Sequence, residues 1–258
     1  MNIFIFPSVT GNNCHLTEII VLDTMVISTA NESLAKLLPP GEIWILGAGK
    51  FGLLAQERLN WRYPKAKIWL IDKNPPSLHH LSLQSQTQLV KRDALQFIQD
   101  NPPSADTWII PAIPVHVAFR WLIQKFVLEN RNVSPISVPR SIDYQVPNPY
   151  RSDGDTLYAS YATFICPDNC SEPDGICVYT RKARLGDLFE KISEVAEPDF
   201  QVMVIRSFQL APGVGGYPGE HLQMVYQTIS DNPGNYLVST SCRCHGVINA
   251  LRIDSARI

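Results

Sequence analysis

GEIWILGAGKFGLLAQERLNWRYPKAKIWLID, residues 41–72, decides how the rest of the chain is read. Ile43-Trp44-Ile45-Leu46 is an apolar run without polar alternation, the pattern of a strand buried on both faces of a parallel sheet. It enters Gly47-Ala48-Gly49-Lys50-Phe51-Gly52, a G-x-G-x-x-G turn. The first glycine permits the tight turn, and the second removes a side chain so that backbone can approach a pyrophosphate. The third lets the following helix lie close to the strand. Phe51, Leu54, Ala55 and Leu59 recur at helical spacing, so the free N–H groups of that helix's amino end point at the phosphates. Lys67 to Ile71 form the next strand, which closes on Asp72, twenty residues after Gly52. A carboxylate there accepts both ribose hydroxyls and favours NAD over NADP, although Lys73 beside it weakens the preference.

This stretch resembles the Rossmann dinucleotide-binding superfamily, in particular the compact nucleotide-binding domains of dehydrogenases and potassium-transport regulators that share a GAGxxG turn. The resemblance covers about residues 41–138 and implies a ligand class, NAD(P), rather than a reaction. It implies cofactor contacts at Gly47, Gly49, Lys50, Phe51, Gly52, Asp72 and Lys73. In such domains an acid-small pair after the third strand lies beside the adenine, which makes Asp93 a further contact. A helix N-cap for Ala94 to Gln99 accounts for Asp93 equally well. An S-adenosylmethionine methyltransferase also ends its second strand on an acid, and Ile71-Asp72-Lys73-Asn74-Pro75 has that character. The GAGKFG turn fits the dinucleotide pattern better.

Around this unit the periodicity is less informative. Residues 1–40 carry candidate strands at 3–6 and 19–22, a short helix at 31–38 and a Cys14-His15 pair that reads as surface, and they form an extra layer on the sheet. After Asp72 come a weak helix at 77–83, a strand at 88–90 and a strand at 107–110. Pro111-Ala112-Ile113-Pro114 then stiffens the carboxyl end of that last strand, where open α/β sheets hold ligands. Val115, Ala118, Phe119, Leu122 and Phe126 give an amphipathic helix. His116 sits in its first turn, a candidate general acid or base competing with a plain surface role. Ser134 to Val138 is a fifth strand, and Pro139-Arg140 ends the first part.

The back half carries the cysteines. A strand-like run, Thr156 to Ile165, ends in Cys166-Pro167-Asp168-Asn169-Cys170 and continues to Cys177, spaced C-x3-C-x6-C. Proline-stiffened loops of this kind gather thiolates around a soft metal. Cys242, Cys244 and His245 follow a second strand, Tyr236 to Thr240. The spacing matches neither paired zinc knuckles nor the common ferredoxin run, so zinc and an iron–sulfur cluster both stand. Between the loops, helices are expected at 185–195 and 220–229 and a strand at 200–205. Arg206 to Tyr217 is a second glycine-rich stretch, which either lets backbone approach an anion or is a plain flexible loop.

Composition narrows the classes. The chain has 258 residues, 22 Lys and Arg against 24 Asp and Glu, and a net charge of −2, with no basic run for nucleic acid or anionic membrane. No apolar run suits a membrane span, and the amino terminus lacks a basic signal region. Six cysteines, most in tight loops, suit ligands better than a disulfide framework and point to the cytoplasm.

The reading is therefore an α/β protein, a Rossmann-like parallel sheet at 41–140 followed by a smaller α/β or α+β part at 141–258 with a cysteine-ligated site. The expected function is an NAD(P)-binding oxidoreductase with zinc or an iron–sulfur centre acting on a small molecule. A nucleotide- and metal-sensing regulatory module is the first alternative and a methyltransferase the second. The sequence leaves homo-oligomerisation open.

Overall fold

Two sheets share one layer of helices in the computed structural model, which describes residues 25–27, 39–75, 87–152 and 155–255. The elements expected at 3–6, 19–22, 31–38 and 77–83, and the Cys14-His15 pair, lie outside the described residues.

The first sheet is built on four parallel strands: β2 (Glu42–Leu46), β3 (Lys67–Asp72), β4 (Thr87–Lys91) and β5 (Thr107–Pro111). They lie in the order β4-β3-β2-β5. The alternation of β2 is used on both faces, as its uninterrupted apolar run requires. Ile43 and Ile45 pack under α1 (Lys50–Arg62) with Ala55, Leu59, Ile68 and Leu70. Trp44 and Leu46 point the other way, onto α2 (Ala94–Asp100) and α3 (Val117–Leu128).

The second sheet holds β1 (Met25–Ile27), β9 (Phe200–Arg206), β12 (Gly234–Ser241), β13 (His245–Ile253), β8 (Leu157–Ser160) and β7 (Tyr150–Arg151) in that order. β6 (Val133–Ile136) also pairs with β13. β1 and β12 run parallel to β9, and the remaining pairs are antiparallel. The protein is thus mixed α/β with parallel and antiparallel strands. Between the sheets lie α2, α3 and α5 (Gly219–Asp231), in one continuous core running from Trp44 and Phe97 through Trp121 and Phe126 to Tyr236 and Leu251. α4 (Leu188–Ser193) covers the outer face of the second sheet through Leu188, Phe189 and Ile192.

Several expectations change here. The strand expected at 134–138 closes no first domain, because β6 pairs with β13 in the second sheet. Conversely, β10 (Phe208–Ala211) and β11 (Val214–Pro218) form a hairpin whose second strand pairs with β5 of the first sheet. Strands therefore cross a boundary at residue 140 in both directions. β8 stops at Ser160 rather than Ile165. Phe51 is 62% exposed, because the inward face of α1 is Gly52, Ala55, Gln56 and Leu59. α3 is apolar on more than one face, with Val117, Trp121 and Phe126 all buried, because it is covered from both sides. The glycine-rich stretch at 206–217 is the hairpin itself, so its glycines serve close backbone packing and not an anion.

The link between the sheets is pinned by Arg151. Its guanidinium donates to both oxygens of Asp143 at 2.6–3.1 Å and to the carbonyls of Val138 and Pro139 at 3.0 and 2.9 Å. This closes the short 3-10 turn at Arg140–Tyr144 against β7.

Candidate functional site

The glycine-rich turn has the backbone its sequence requires. Gly47 has φ +113, and a Cβ there would lie 2.8 Å from the carbonyl oxygen of Ala112. A Cβ on Gly52 would lie 1.9 Å from the Gly47 carbonyl oxygen, so α1 sits directly on the turn. Gly49 is different: nothing lies within 4 Å of its Cβ position. Gly49 is also the N-cap of α1 and offers no side chain to the first N–H groups of the helix, which leaves those donors facing the open space. Lys50 stands beside it with Nζ 5.6 Å from the Phe51 ring, both exposed.

Asp72 closes the turn from below. Its carboxylate accepts the Ala48 N–H at 2.8 Å and the Asn74 N–H at 2.8 Å. A carboxylate has about four acceptor positions, so two remain for hydroxyl groups. Lys73 is exposed next to it. Asp93 caps α2 by accepting from Leu95 and Gln96 N–H at 3.0 Å, which is the capping role of the two considered.

His116 does not face an open cleft. Its Nδ1 lies 3.0 Å from Asn249 Oδ1 and its Nε2 3.0 Å from Thr240 Oγ1, both on the second sheet. Burial lowers its pKa to about 4, against a smaller opposing effect of the Asn249 hydrogen bond, so the ring is neutral at pH 7. With both nitrogens engaged, His116 is a strut between α3 and the second sheet, not the surface residue that was the competing reading, and neither ring nitrogen is free for the candidate acid–base role.

The two cysteine loops come together. Cys166 Sγ is 3.5 Å from His245 Nε2, and Cys242 Sγ is 3.9 Å from His245 Nδ1, so one imidazole spans thiols from both loops. Cys244 Sγ accepts from Arg184 Nη1 at 2.7 Å, and Cys170 Sγ accepts from the Glu172 N–H at 3.4 Å. Cys166 interacts electrostatically with Cys244, Cys170 and Cys177, and Cys244 with Cys170. All five described cysteines are free thiols. Among the described residues no three His, Cys, Asp or Glu side chains already stand in ion-holding geometry.

The electrostatics divide the thiols. Burial pushes Cys166 and Cys244 up, with Arg184 opposing in both cases. Cys242 is pushed furthest, by burial and then by the Glu172 carboxyl it contacts. Cys177 goes the other way, held down mainly by hydrogen bonds from Thr180. His245 is lowered by burial and by Arg184. Cys166, Cys177 and Cys244 line one cavity of about 230 Å³ with Arg184, Phe164 and Tyr161.

Residues that sequence reading passed over hold this arrangement in place. Arg243 ties Asp187 at 2.8 Å to Asp174 at 2.8 Å, and its N–H donates to Glu172 at 3.0 Å. Arg58 of α1 donates to the carbonyls of Asp168 and Pro212 at 2.5 Å, and the Gly213 N–H donates to the Cys170 carbonyl at 2.7 Å. Arg206 lies with its guanidinium 4.2 Å from the Phe189 ring and 4.7 Å from Phe208. It forms, with Arg62, Arg243, Trp108 and Glu172, the wall of a cleft of about 450 Å³ beside the first cysteine loop. The arginine between two cysteines, Cys242-Arg243-Cys244, was the available signal for Arg243.

The glycine-rich turn and the first cysteine loop are linked through α1 by Arg58. Arg58, which holds the cysteine loop, is nine residues along α1 from Gly49, or roughly 13 Å at 1.5 Å per residue.

Residues 118–254 match a family model described as "Uncharacterized protein, C-terminal domain", which spans α3 through β13 and both cysteine loops. A protein of Archaeoglobus fulgidus described as "Uncharacterized protein" is 28% identical over 222 residues, covering 81% of this chain and 98% of its own length. No solved structure matches.

Proposed function

The chain belongs to the family described as "Uncharacterized protein, C-terminal domain", and we propose that it is a nucleotide-binding protein with a cysteine-ligated inorganic centre, working as a sensing module. The observation that carries this reading is that His245 holds a thiol from each loop, Cys166 at 3.5 Å and Cys242 at 3.9 Å, with three further free thiols gathered around them. Soft thiolate and imidazole donors suit zinc or iron–sulfur chemistry and not a hard cation.

The nucleotide half rests on the order β4-β3-β2-β5, which in chain sequence is 3-2-1-4, the order of a Rossmann half-domain. The reversal of strand order falls between β2 and β5, and the GAGKFG turn lies at the carboxyl end of β2. Open α/β sheets bind ligands there. Gly49 leaves space for a pyrophosphate, and Asp72 keeps acceptor positions for a ribose.

Two features favour sensing over turnover. Both ring nitrogens of His116 are engaged, and the α1 residue that touches the first cysteine loop, Arg58, is nine residues along the chain from Gly49. A hydride moves two electrons in one step at contact distance, so a centre displaced along a helix is a poor direct partner. The oxidoreductase reading keeps one specific support: the arginine- and aromatic-lined cleft of about 450 Å³ next to the cysteine loop is large enough for a small anionic substrate.

Calorimetry with NAD(H), NADP(H) and S-adenosylmethionine, together with metal and sulfide analysis of anaerobically purified protein, tests the proposal. Binding of a nicotinamide nucleotide with stoichiometric metal and no hydride exchange with carbonyl compounds is the expected result. Hydride exchange selects the oxidoreductase, S-adenosylmethionine binding selects a methyltransferase, and neither nucleotide nor metal overturns the reading.

A further inference from the structure

We infer that the cavity beside the cysteine loops is a binding site for a small carboxylate with an apolar body, held by Lys182 and Arg184. The inference deepens the sensing role proposed above by naming the chemical class of an effector, and it rests on that role only for what the ligand does. The binding itself requires neither a nucleotide nor an inorganic centre.

A short fold-back of the chain builds the cationic wall. Ile176 bridges to Ala183, the Cys177 N–H donates to the Lys182 carbonyl at 2.9 Å, and the Arg184 N–H donates to the Gly175 carbonyl at 2.9 Å. On the returning arm Lys182 and Arg184, two residues apart, both reach the cavity of about 230 Å³. Tyr161, Phe164 and Leu185 supply apolar wall, and Phe164 is held by stacking on Tyr179 at 4.3 Å. Among the described residues that form this wall there are two cations and no carboxylate. The acids of the same loops are gathered on Arg243, which lies outside the lining: it pairs with Asp174 and Asp187 at 2.8 Å, and its N–H donates to Glu172 at 3.0 Å.

The two cations have different parts. Arg184 is fixed by its Nη1, which donates to Cys244 Sγ at 2.7 Å, and by its Nε, which donates to the Pro173 carbonyl at 2.7 Å. A guanidinium has five N–H donors, so donors of the fork remain, in a plane set before any ligand arrives. Lys182 is exposed and makes no ion pair with any described residue. A carboxylate that bridges the two gains charge-assisted hydrogen bonds from both. The apolar wall selects what the carboxylate is attached to. A hydrated dianion such as phosphate loses water against Phe164 and Leu185 with too few donors in return, whereas an apolar body gains by leaving water there. The volume sets the upper limit. Sites for drug-sized ligands span roughly 300–1,000 Å³, so this cavity is too small for a nucleotide and suits one ring or a short alkyl chain. That group is borne both by a free small acid and by the carboxyl terminus of a peptide ending in an apolar residue.

The test is calorimetric titration of the full chain as purified, with the metal content of the same sample measured alongside. The probes are phenylpropionate, its amide, acetate, inorganic phosphate and a tripeptide ending in a free phenylalanine carboxylate. Phenylpropionate should bind, and the amide, acetate and phosphate should each bind at least about tenfold more weakly. Lys182→Glu and Leu185→Asp should each weaken phenylpropionate by at least about tenfold, with circular dichroism unchanged. Trp61→Ser, which removes an exposed aromatic outside the lining, should leave the affinity as it was. Because Lys182 is exposed, Lys182→Glu decides the matter even if Leu185→Asp unfolds. Tighter binding of the tripeptide than of phenylpropionate assigns the site to a peptide terminus, and the reverse order to a free acid. No binding of either carboxylate, equal affinity for phosphate, or full affinity in Lys182→Glu overturns the site. A metal-free sample that binds phenylpropionate removes the inorganic centre and leaves this site standing, and a metal-bearing sample that binds no carboxylate does the reverse.

Discussion

The carbonyl oxygen of Gly47 lies 1.9 Å from where a Cβ on Gly52 would be, while the Cβ position of Gly49, between them, meets nothing within 4 Å. Three glycines of one motif therefore do different work. Gly47 and Gly52 are demanded by the fold, whereas no neighbouring protein atom demands a glycine at position 49.

That contrast is directly measurable. Gly49 has φ −75 and ψ −170, a conformation any residue adopts. Gly49→Val should cost about 1 kcal/mol of folding stability, the loss of a glycine N-cap, while weakening nucleotide binding by at least about tenfold, ~1.4 kcal/mol. Gly52→Ala should cost upward of about 3 kcal/mol, because a backbone carbonyl occupies the site. Urea denaturation and calorimetry on both variants check the pair. Equal nucleotide affinity in Gly49→Val would remove the phosphate role from the turn.

A second glycine couples the sheets to the cysteine site. Gly213, at φ +67 on the β10–β11 hairpin tip, would place a Cβ 1.7 Å from the Asp168 carbonyl oxygen. Its N–H also holds the Cys170 carbonyl at 2.7 Å. Gly213→Val should lift the first cysteine loop off the hairpin. The expected outcome is a loss of about 2–4 kcal/mol in stability and faster alkylation of Cys166 and Cys170, read by mass spectrometry under native conditions. Unchanged alkylation rates would mean that the hairpin does not seat the loop.

The parallel strands around GAGKFG were legible because their signals are local. Ile43 to Leu46, the three glycines and Asp72 each carry their meaning within a few residues. The sharing of a helical layer between two sheets was not. Whether Ser134 to Ile136 pairs with β5 or with β13 depends on a partner more than 100 residues away, and a four-residue apolar run fits either. The hairpin at 208–218 was hidden for the opposite reason: its glycines suggest flexibility until the packing against Ile109 and Asp168 is known. In the cysteine site the thiols were legible and their organisers were not. Arg184, Arg58 and Arg243 look like solvated charges in sequence, and only the loop geometry turns their guanidiniums toward sulfur, carbonyl oxygen and carboxylate respectively.

The Arg151–Asp143 clasp predicts an acid-dependent stability term. Hydrogen bonds from Arg151, which outweigh the effect of burial, hold the Asp143 carboxyl below its ordinary value. A carboxylate depressed in the folded state stabilises above the unfolded value of about 3.9 and loses that contribution as pH falls through its folded value. Arg151→Met should therefore cost about 1–3 kcal/mol at pH 7, and the gap between variant and parent should narrow as pH drops below about 4. Urea midpoints measured between pH 7 and pH 3 give the comparison, and a gap constant across that range would assign the effect to packing alone.

His116 has the opposite ionisation and a larger pH window. The Asn249 Nδ2 donates to Thr156 Oγ1 at 2.9 Å, which turns its Oδ1 toward His116, so Nδ1 carries the proton and Nε2 accepts from Thr240. Protonation would add a buried charge to this chain of neutral bonds, which is why the folded value is lowered to about 4 from 6.5. Between those two values the unfolded chain binds the extra proton and the folded one does not. The stability due to the neutral ring is complete above pH ~6.5 and is lost as pH falls toward ~4, by on the order of 2–3 kcal/mol. His221, lowered to about 4 by burial and by Arg206, acts in the same direction. His116→Gln should lose about 1–2 kcal/mol at pH 7 and flatten the decline between pH 6.5 and 4, leaving the His221 share. If His116 instead served as a catalytic base, the same variant would abolish turnover while leaving the stability profile unchanged, so one pH series of denaturation curves decides between strut and catalyst.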